Sequence, residues 1–266
     1  MIGEHESNIE MDKYQEISAF WSNQLNNEIY LRGKINVVRG SKEYFDIILN
    51  SRQKYIYYFQ KMIDFLKMAP NRSLVDIGCG MGTDSLVLVQ HGFQVTGIDL
   101  APGHLKLARQ LFALYQVSGT FVEGNAERMP FPEREFGCAY SFGVLHHTPN
   151  TAKAIQEVHR ILQPSGRAVI MLYNFWSFNN FVHWVLRRGF ENARCEEGVN
   201  KIDAPVTKRF SRQQVKEMCS SFSKCEIDIE YLYGAGYGRA YDMIPQIVYR
   251  MLSRFLGWHL VIFLEK

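Results

Sequence analysis

Leu74-Val75-Asp76-Ile77-Gly78-Cys79-Gly80-Met81-Gly82-Thr83-Asp84 decides how the rest of the chain is read. An apolar run enters three alternating glycines, and Ser85, Leu86, Leu88 and Val89 then follow at helical spacing. Apolar run, glycine turn and helix in that order are how an open α/β sheet begins a nucleotide site. Glycine lets a ligand come close to the backbone because no Cβ intervenes.

The glycine spacing is G-x-G-x-G rather than the G-x-G-x-x-G of dinucleotide sites. Asp76 stands two places before the first glycine. A carboxylate is badly placed beside a pyrophosphate and well placed beside a sulfonium or an ammonium, because like charges repel and unlike charges attract. That contrast points to S-adenosylmethionine and away from NAD.

Outside this stretch, strands alternate with helical segments. Strands are expected at Ser73–Ile77, Phe93–Ile98, Thr120–Val122, Gly137–Phe142 and Arg167–Tyr173. Helices are expected at Gly103–Tyr115 and Thr151–Leu162, the second ending in the turn Gln163-Pro164-Ser165-Gly166. Such alternation implies an α/β fold with a parallel sheet. Ahead of the sheet, Lys13–Leu31 and Ser41–Met68 carry aromatic and aliphatic residues at helical spacing and end at Pro70, and a basic hinge, Arg32–Gly40, joins them. Asn174–Arg209 is too long for a routine connection and reads as a lid. Ser211 and Gln214 form a capping box that opens a helix to Phe222. Lys224–Tyr231 reads as a sixth strand, Gly234–Gly238 as a turn, and Asp242–Leu256 as a helix whose Ile247, Met251 and Phe255 side packs on the sheet, with a membrane surface as the weaker alternative. Trp258–Leu264 is the final strand. The expected organisation is an N-terminal helical lid region over residues 1–70 and a ligand-binding domain over residues 71–266, with the insert at about 174–210.

Composition bounds the function classes. The chain has 266 residues, 47% of them hydrophobic, enough for one good core. A formal charge of +3 lacks the strong basic excess of a dedicated nucleic-acid binder. The five cysteines form no C-x-x-C pair, which predicts reduced thiols, no metal site and a cytoplasmic location. Residues 1–14 are polar and acidic, unlike a signal peptide, and Met11 is an alternative start to Met1. No run reaches the roughly 20 apolar residues of a membrane span, so no stable membrane insertion is expected.

Three further segments carry candidate chemistry. Asp99 closes strand 2 about twenty residues past the first glycine, where an acid accepts both hydroxyls of a ribose, beside Leu100. Gly124-Asn125-Ala126-Glu127 follows strand 3, where Asn125 and the Ala126 amide can meet an adenine. Ser141-Phe142-Gly143-Val144-Leu145-His146-His147-Thr148-Pro149 follows strand 4. Its two histidines are candidate general bases, since imidazole titrates near neutrality. Zinc ligation is the weaker alternative, because adjacent histidines in an extended segment point apart and no third ligand lies at metal spacing. Either histidine can instead pack the lid while the other faces substrate.

LVDIGCGMGTDS, VTGIDLAP, GNAERMPFPEREF, YSFGVLHHTPN and EVHRILQPSGRAVI occur in this order at ordinary distances. Together they resemble the motifs of the class I S-adenosylmethionine-dependent methyltransferases, in the group that acts on small molecules. The resemblance is strong over about residues 72–175. It implies a Rossmann-like, seven-stranded, mostly parallel sheet with an antiparallel last strand. It also implies that Asp76, Gly78, Cys79, Gly80 and Asp84 hold the methionine end of S-adenosylmethionine. Asp99 and Leu100 would hold the ribose, Asn125, Ala126 and Glu127 the adenine, and Ser141 and Phe142 would lead to the transfer site at His146 and His147. S-adenosylhomocysteine would be the product. Tyr14, Phe20, Trp21, Tyr173 and Trp176 are the aromatic candidates for the acceptor site. Strand 4 lacks the Asp/Asn-Pro-Pro-Tyr/Phe signature of base methylation, so a small-molecule acceptor and no nucleic acid are expected, in a monomer or homodimer. A non-catalytic S-adenosylmethionine-binding partner protein is the alternative; an NAD-dependent oxidoreductase is disfavoured by Asp76.

Overall fold

The computed structural model describes residues 13–22, 28, 31, 37–187, 205–233 and 243–266. Seven strands form one sheet in the order β3-β2-β1-β4-β5-β7-β6. They are β1 (Ser73–Ile77), β2 (Gln94–Asp99), β3 (Thr120–Glu123), β4 (Phe136–Phe142), β5 (Leu162–Tyr173), β6 (Lys224–Glu230) and β7 (His259–Glu265). β1 pairs in parallel with β2 and β4, and β4 with β5, whereas β7 runs antiparallel to both β5 and β6. The expected seven-stranded, mostly parallel sheet with an antiparallel last strand is therefore the fold of this chain. The strand order reverses between β1 and β4, and ligands of open sheets bind at such a switch point.

β1 and β4 are buried almost throughout, as strands covered on both faces must be. One face packs Ile155, Val158 and Ile161 of the helix Thr151–Ile161 against Val75, Ile77, Ala139, Ile170 and Ile262. The other packs Met62, Ile63 and Leu66 of the helix Phe59–Leu66 against Leu74, Tyr140, Val169 and Phe263. A third cluster joins Tyr44, Phe45 and Ile48 of the helix Lys42–Tyr55 to Met81, Leu86 and Leu105. The pre-sheet helices thus share the core of the sheet.

Three expectations are corrected. Gln163–Gly166 is no simple turn between helix and strand: β5 starts at Leu162 and bulges, since Leu162 pairs with Phe136 while Arg167 pairs with Cys138. Ser165 takes a positive φ of 58°, and Lys266 closes the bulge through its own amide and carbonyl. The last helix begins at Gln246, after a break at Ile244 and Pro245, so the expected helix is not continuous; Asp242 lies outside the described residues. Its sheet-facing side holds Tyr249 and Ser253, fixed by hydrogen bonds to Tyr233 and Leu232, so Ile247, Met251 and Phe255 turn outward. The capping box of Ser211 and Gln214 forms, but its helix stops at Met218 rather than Phe222. The start at Met1 or Met11, the turn Gly234–Gly238, and the central part of the insert lie outside the described residues, as do most of the Arg32–Gly40 hinge and, apart from Glu28 and Leu31, the stretch after Ser22 of the first expected helix.

Ile262 sits fully buried at the middle of β7, flanked by β5 and β6. Ile262→Ala is expected to destabilise the fold by about 2–5 kcal/mol, the range for truncating a buried isoleucine. Urea unfolding monitored by circular dichroism would read this; a loss under about 1 kcal/mol would show that the site repacks.

Candidate functional site

One cavity opens at the carboxyl ends of β1, β2, β3 and β4, lined by residues of all four following loops. The glycine turn builds its floor. Gly78, Gly80 and Gly82 have φ values of 72°, 54° and 79°, in the left-handed region that strains other residues. A Cβ on Gly78 would stand 2.3 Å from Val144 Cγ2, whereas one on Gly80 would meet no protein atom within 4 Å. The Gly80 backbone thus faces open cavity, where a ligand can lie against it.

Asp76 is buried in the wall and accepts a hydrogen bond from the Ser85 hydroxyl. Burial pushes its carboxyl up to about 8; the Ser85 hydroxyl offsets part of this, and neighbouring Asp84 and Asp99 add to it. Asp99 accepts from the Gly80 amide at 2.8 Å and the Ala101 amide at 2.9 Å, with His104 Nδ1 at 3.3 Å. Leu100 lines the cavity, and its carbonyl accepts from Ser18 at 2.8 Å. Cys79 also lines it, its thiol pushed well up by burial. Asn125 and Ala126 line the adjoining wall, with Asn125 Oδ1 bound to the Glu127 amide at 2.8 Å.

Other predicted residues lie elsewhere. Glu127 is buried behind the lining, accepting from the Tyr14 hydroxyl and the Asn150 amide. Ser141 is buried, donates to the Ile77 carbonyl at 2.9 Å and does not line the cavity, whereas Phe142 does. Tyr14 and Trp21 line the cavity; Phe20 packs edge-on to Trp21. Tyr173 lies between His146 and Trp258, outside the lining. Trp176 is 63% exposed. Asp84 lines the cavity, but its carboxylate is taken by Arg52 and by the Tyr140 hydroxyl at 2.7 Å.

Arg52 is a charged cavity residue that the sequence motifs do not mark. It lines the cavity, pairs bidentately with Asp84, and lies 4.3 Å from the Phe142 ring centroid. A signal exists. Arg52 stands four residues after Ile48 and seven after Phe45, a cation on an otherwise apolar helical face.

The two histidines separate. His147 lines the cavity, 5.1 Å edge-on from Trp21. Its Nδ1 lies 2.7 Å from the Val206 carbonyl, which fixes Nδ1 as the protonated nitrogen. Nε2 is buried without a hydrogen-bond partner and carries the lone pair. Burial lowers its pKa to about 4, only partly offset by the Val206 carbonyl. His146 is wholly buried, its ring 3.7 Å from that of Tyr173, and does not line the cavity. Burial, then His147 and His259, hold it well below the usual imidazole range.

Residues 75–170 match the model of a methyltransferase domain. The segment is a class I S-adenosylmethionine-dependent methyltransferase domain, and S-adenosylmethionine is its cofactor. The chain is 31% identical over 159 residues to a sterol 4-C-methyltransferase of Caenorhabditis elegans, an alignment covering 54% of this chain and 48% of that protein. It is 30% identical over 128 residues to the 2-methyl-6-phytyl-1,4-hydroquinone methyltransferase of a Synechocystis strain, covering 44% and 40%. The chain therefore spans about half or less of the length of these two curated relatives. Its fold matches an S-adenosylmethionine-dependent methyltransferase of Methanosarcina mazei with a TM-score of 0.54 and 19% identity, over 75% of this chain and 95% of that one.

The methyltransferase cavity suits a cationic cofactor. Its lining sets three carboxyl groups, Asp76, Asp84 and Asp99, against one guanidinium, Arg52. Asp99→Ala is expected to weaken S-adenosylmethionine binding by about 1–3 kcal/mol, the scale of a hydrogen bond lost in a buried site. Unchanged affinity in calorimetry would remove Asp99 from the site.

The buried ionisable groups also set the pH response. His146, His147 and His259 have folded pKa values below the ordinary 6.5, so the unfolded chain binds more protons as pH falls below about 6.5. Their stabilisation is complete above that value and is lost on acidification. Asp76, raised to about 8, acts oppositely and costs stability as pH rises from about 4 to 8. Three groups outweigh one, so the denaturation midpoint at pH 5 is expected below that at pH 7; an equal or higher midpoint would contradict these burials.

Proposed function

We propose that this chain transfers a methyl group from S-adenosylmethionine to a small-molecule nucleophile by in-line displacement, with His147 as general base. The observation that carries this reading is the His147 ring: Nδ1–H is held by Val206, Nε2 is buried without a partner, and the residue lines the cavity together with Asp76 and Asp99. The cofactor, when bound, supplies a methyl group already activated on a sulfonium. Asp99, Leu100 and Asn125 would hold its nucleoside part, and Asp76 with the Gly78–Gly80 backbone its charged end. Trp21, Tyr14 and Ile17 cover the cavity from the helix at residues 13–22 and would exclude water from the acceptor. Their apolar faces favour an acceptor with an apolar or aromatic body, in keeping with the sterol and hydroquinone named for the two relatives.

His147 Nε2 would take the acceptor's proton. A base of pKa about 4 is weak, yet it is fully unprotonated at neutral pH and hence always available. His146 would then be a packing residue that sets the loop. A small-molecule acceptor also accords with the Ser141-Phe142-Gly143-Val144 sequence at the end of β4.

The test is methyl transfer from radiolabelled S-adenosylmethionine to a panel of phenols, hydroxy acids and amines. His147→Ala is expected to lower turnover by about 100- to 10,000-fold, the range for a lost general base, with cofactor affinity near wild type. The wild-type kcat/KM should show no acid limb assignable to His147 between about pH 5 and 7. Full turnover in the variant would end the role of His147 as base.

A further inference from the structure

Two neighbouring helices leave apolar faces in solvent. In the helix Gln246–Leu256, Ile247 is 81% exposed, Phe255 71% and Met251 56%, with Met243 just ahead of it 80% exposed. In the helix Phe178–Arg187, Phe181 is 58% exposed, Val185 55% and Trp184 38%. Both helices reach the same buried cluster: the Phe178 and Tyr249 rings each contact Tyr233. Large adjoining apolar faces on a folded chain mark an interaction surface.

Among the described residues, the two helices themselves carry no acid. Residues 174–189 and 243–258 contain no Asp or Glu, although the chain has 27 acids. The second of them contains Arg250 and Arg254. Arg250 and Arg254 are exposed and follow Ile247 and Met251 by three residues each, so they flank the apolar face. The acids beyond the flank are engaged: Asp228 by Lys61, and Glu230 by the Tyr57 hydroxyl. An apolar stripe with Phe and Trp, flanked by Arg250 and Arg254 among the described residues, matches an anionic lipid interface. The helix Gln246–Leu256 is 11 residues long, far short of a span, so such a helix lies on the surface.

We propose that these two helix faces dock the protein peripherally on an anionic lipid membrane. The placement suits the site already described. The helix Phe178–Arg187 begins five residues after Tyr173 at the end of β5, and the helix Gln246–Leu256 ends three residues before His259, which pairs with Tyr173. Both helix ends therefore adjoin the sheet edge at which the cavity opens. Docking here would hold that edge near the lipid surface.

The experiment is co-sedimentation of the full chain with vesicles of phosphatidylcholine alone and of phosphatidylcholine with 30 mole per cent (~30%) phosphatidylglycerol, the level at which a polybasic patch senses surface charge. Binding to the anionic vesicles is expected to exceed binding to neutral ones by about tenfold and to fall with salt. The double variants Ile247→Ser/Phe255→Ser and Arg250→Glu/Arg254→Glu should each lose most of that binding, while keeping the wild-type melting temperature and S-adenosylmethionine affinity. Absence of wild-type binding to either vesicle would overturn the proposal. So would binding untouched by both variants. A concentration-dependent dimer in sedimentation equilibrium that Ile247→Ser/Phe255→Ser abolishes would overturn it in favour of a second copy as the occupant. Loss of cofactor binding in the wild type would instead count against the proposed function and leave the vesicle result to stand by itself.

Discussion

The site depends on how the glycine turn after β1 is fastened to the end of β2. The Ile98 carbonyl accepts from the Gly78 amide at 2.7 Å and the Cys79 amide at 3.1 Å, and Asp99 takes the Gly80 amide at 2.8 Å. One short loop thus gives three hydrogen bonds to two consecutive residues of the adjacent strand. Val144 fills the space a side chain at Gly78 would need, so the loop after β4 is keyed to the loop after β1. That second loop carries His146 and His147. The cradle and the proposed base therefore hold a fixed relation without touching each other, and a rigid relation is what in-line chemistry requires.

Around this turn the chain accepts buried charge that would be costly without partners. Arg52 answers Asp84, and the Tyr140 hydroxyl supports the same carboxylate. Asp76 has only Ser85 and is pushed toward its neutral form, so a cation in the cavity would meet a carboxyl ready to ionise against it. The pre-sheet helices take part in this balance. Lys42–Tyr55 contributes Arg52, and residues 13–22 contribute Tyr14, Ile17 and Trp21 to the lining. What reads as an accessory cover supplies part of the wall and its one guanidinium.

Much of the fold is legible in the sequence because β1, β2 and β4 are buried runs set between strong turn signals. Leu74–Ile77 and Cys138–Ser141 have few ways to be anything but central strands. The capping box at Ser211 and Gln214 is local chemistry, so it too is readable. The bulge at Gln163–Gly166 is not, since it depends on the carboxyl-terminal Lys266 arriving from across the sheet. The outward face of Gln246–Leu256 misleads for a related reason. Periodicity shows an apolar stripe but not which side the Tyr249 and Ser253 hydrogen bonds will turn inward. At the site, Asp76, Asp99 and the glycines are found by spacing. The place of Arg52, the burial of Glu127 and the different surroundings of His146 and His147 follow from tertiary packing, which no short motif encodes.

The central claim is that this cavity holds a cationic nucleoside cofactor beneath the N-terminal helix. Titration calorimetry of the full chain with S-adenosylmethionine, S-adenosylhomocysteine and NAD tests it most directly. One-to-one binding of the first two and no heat from NAD is the predicted result. Saturable NAD binding, or no binding of either adenosyl compound, would contradict it.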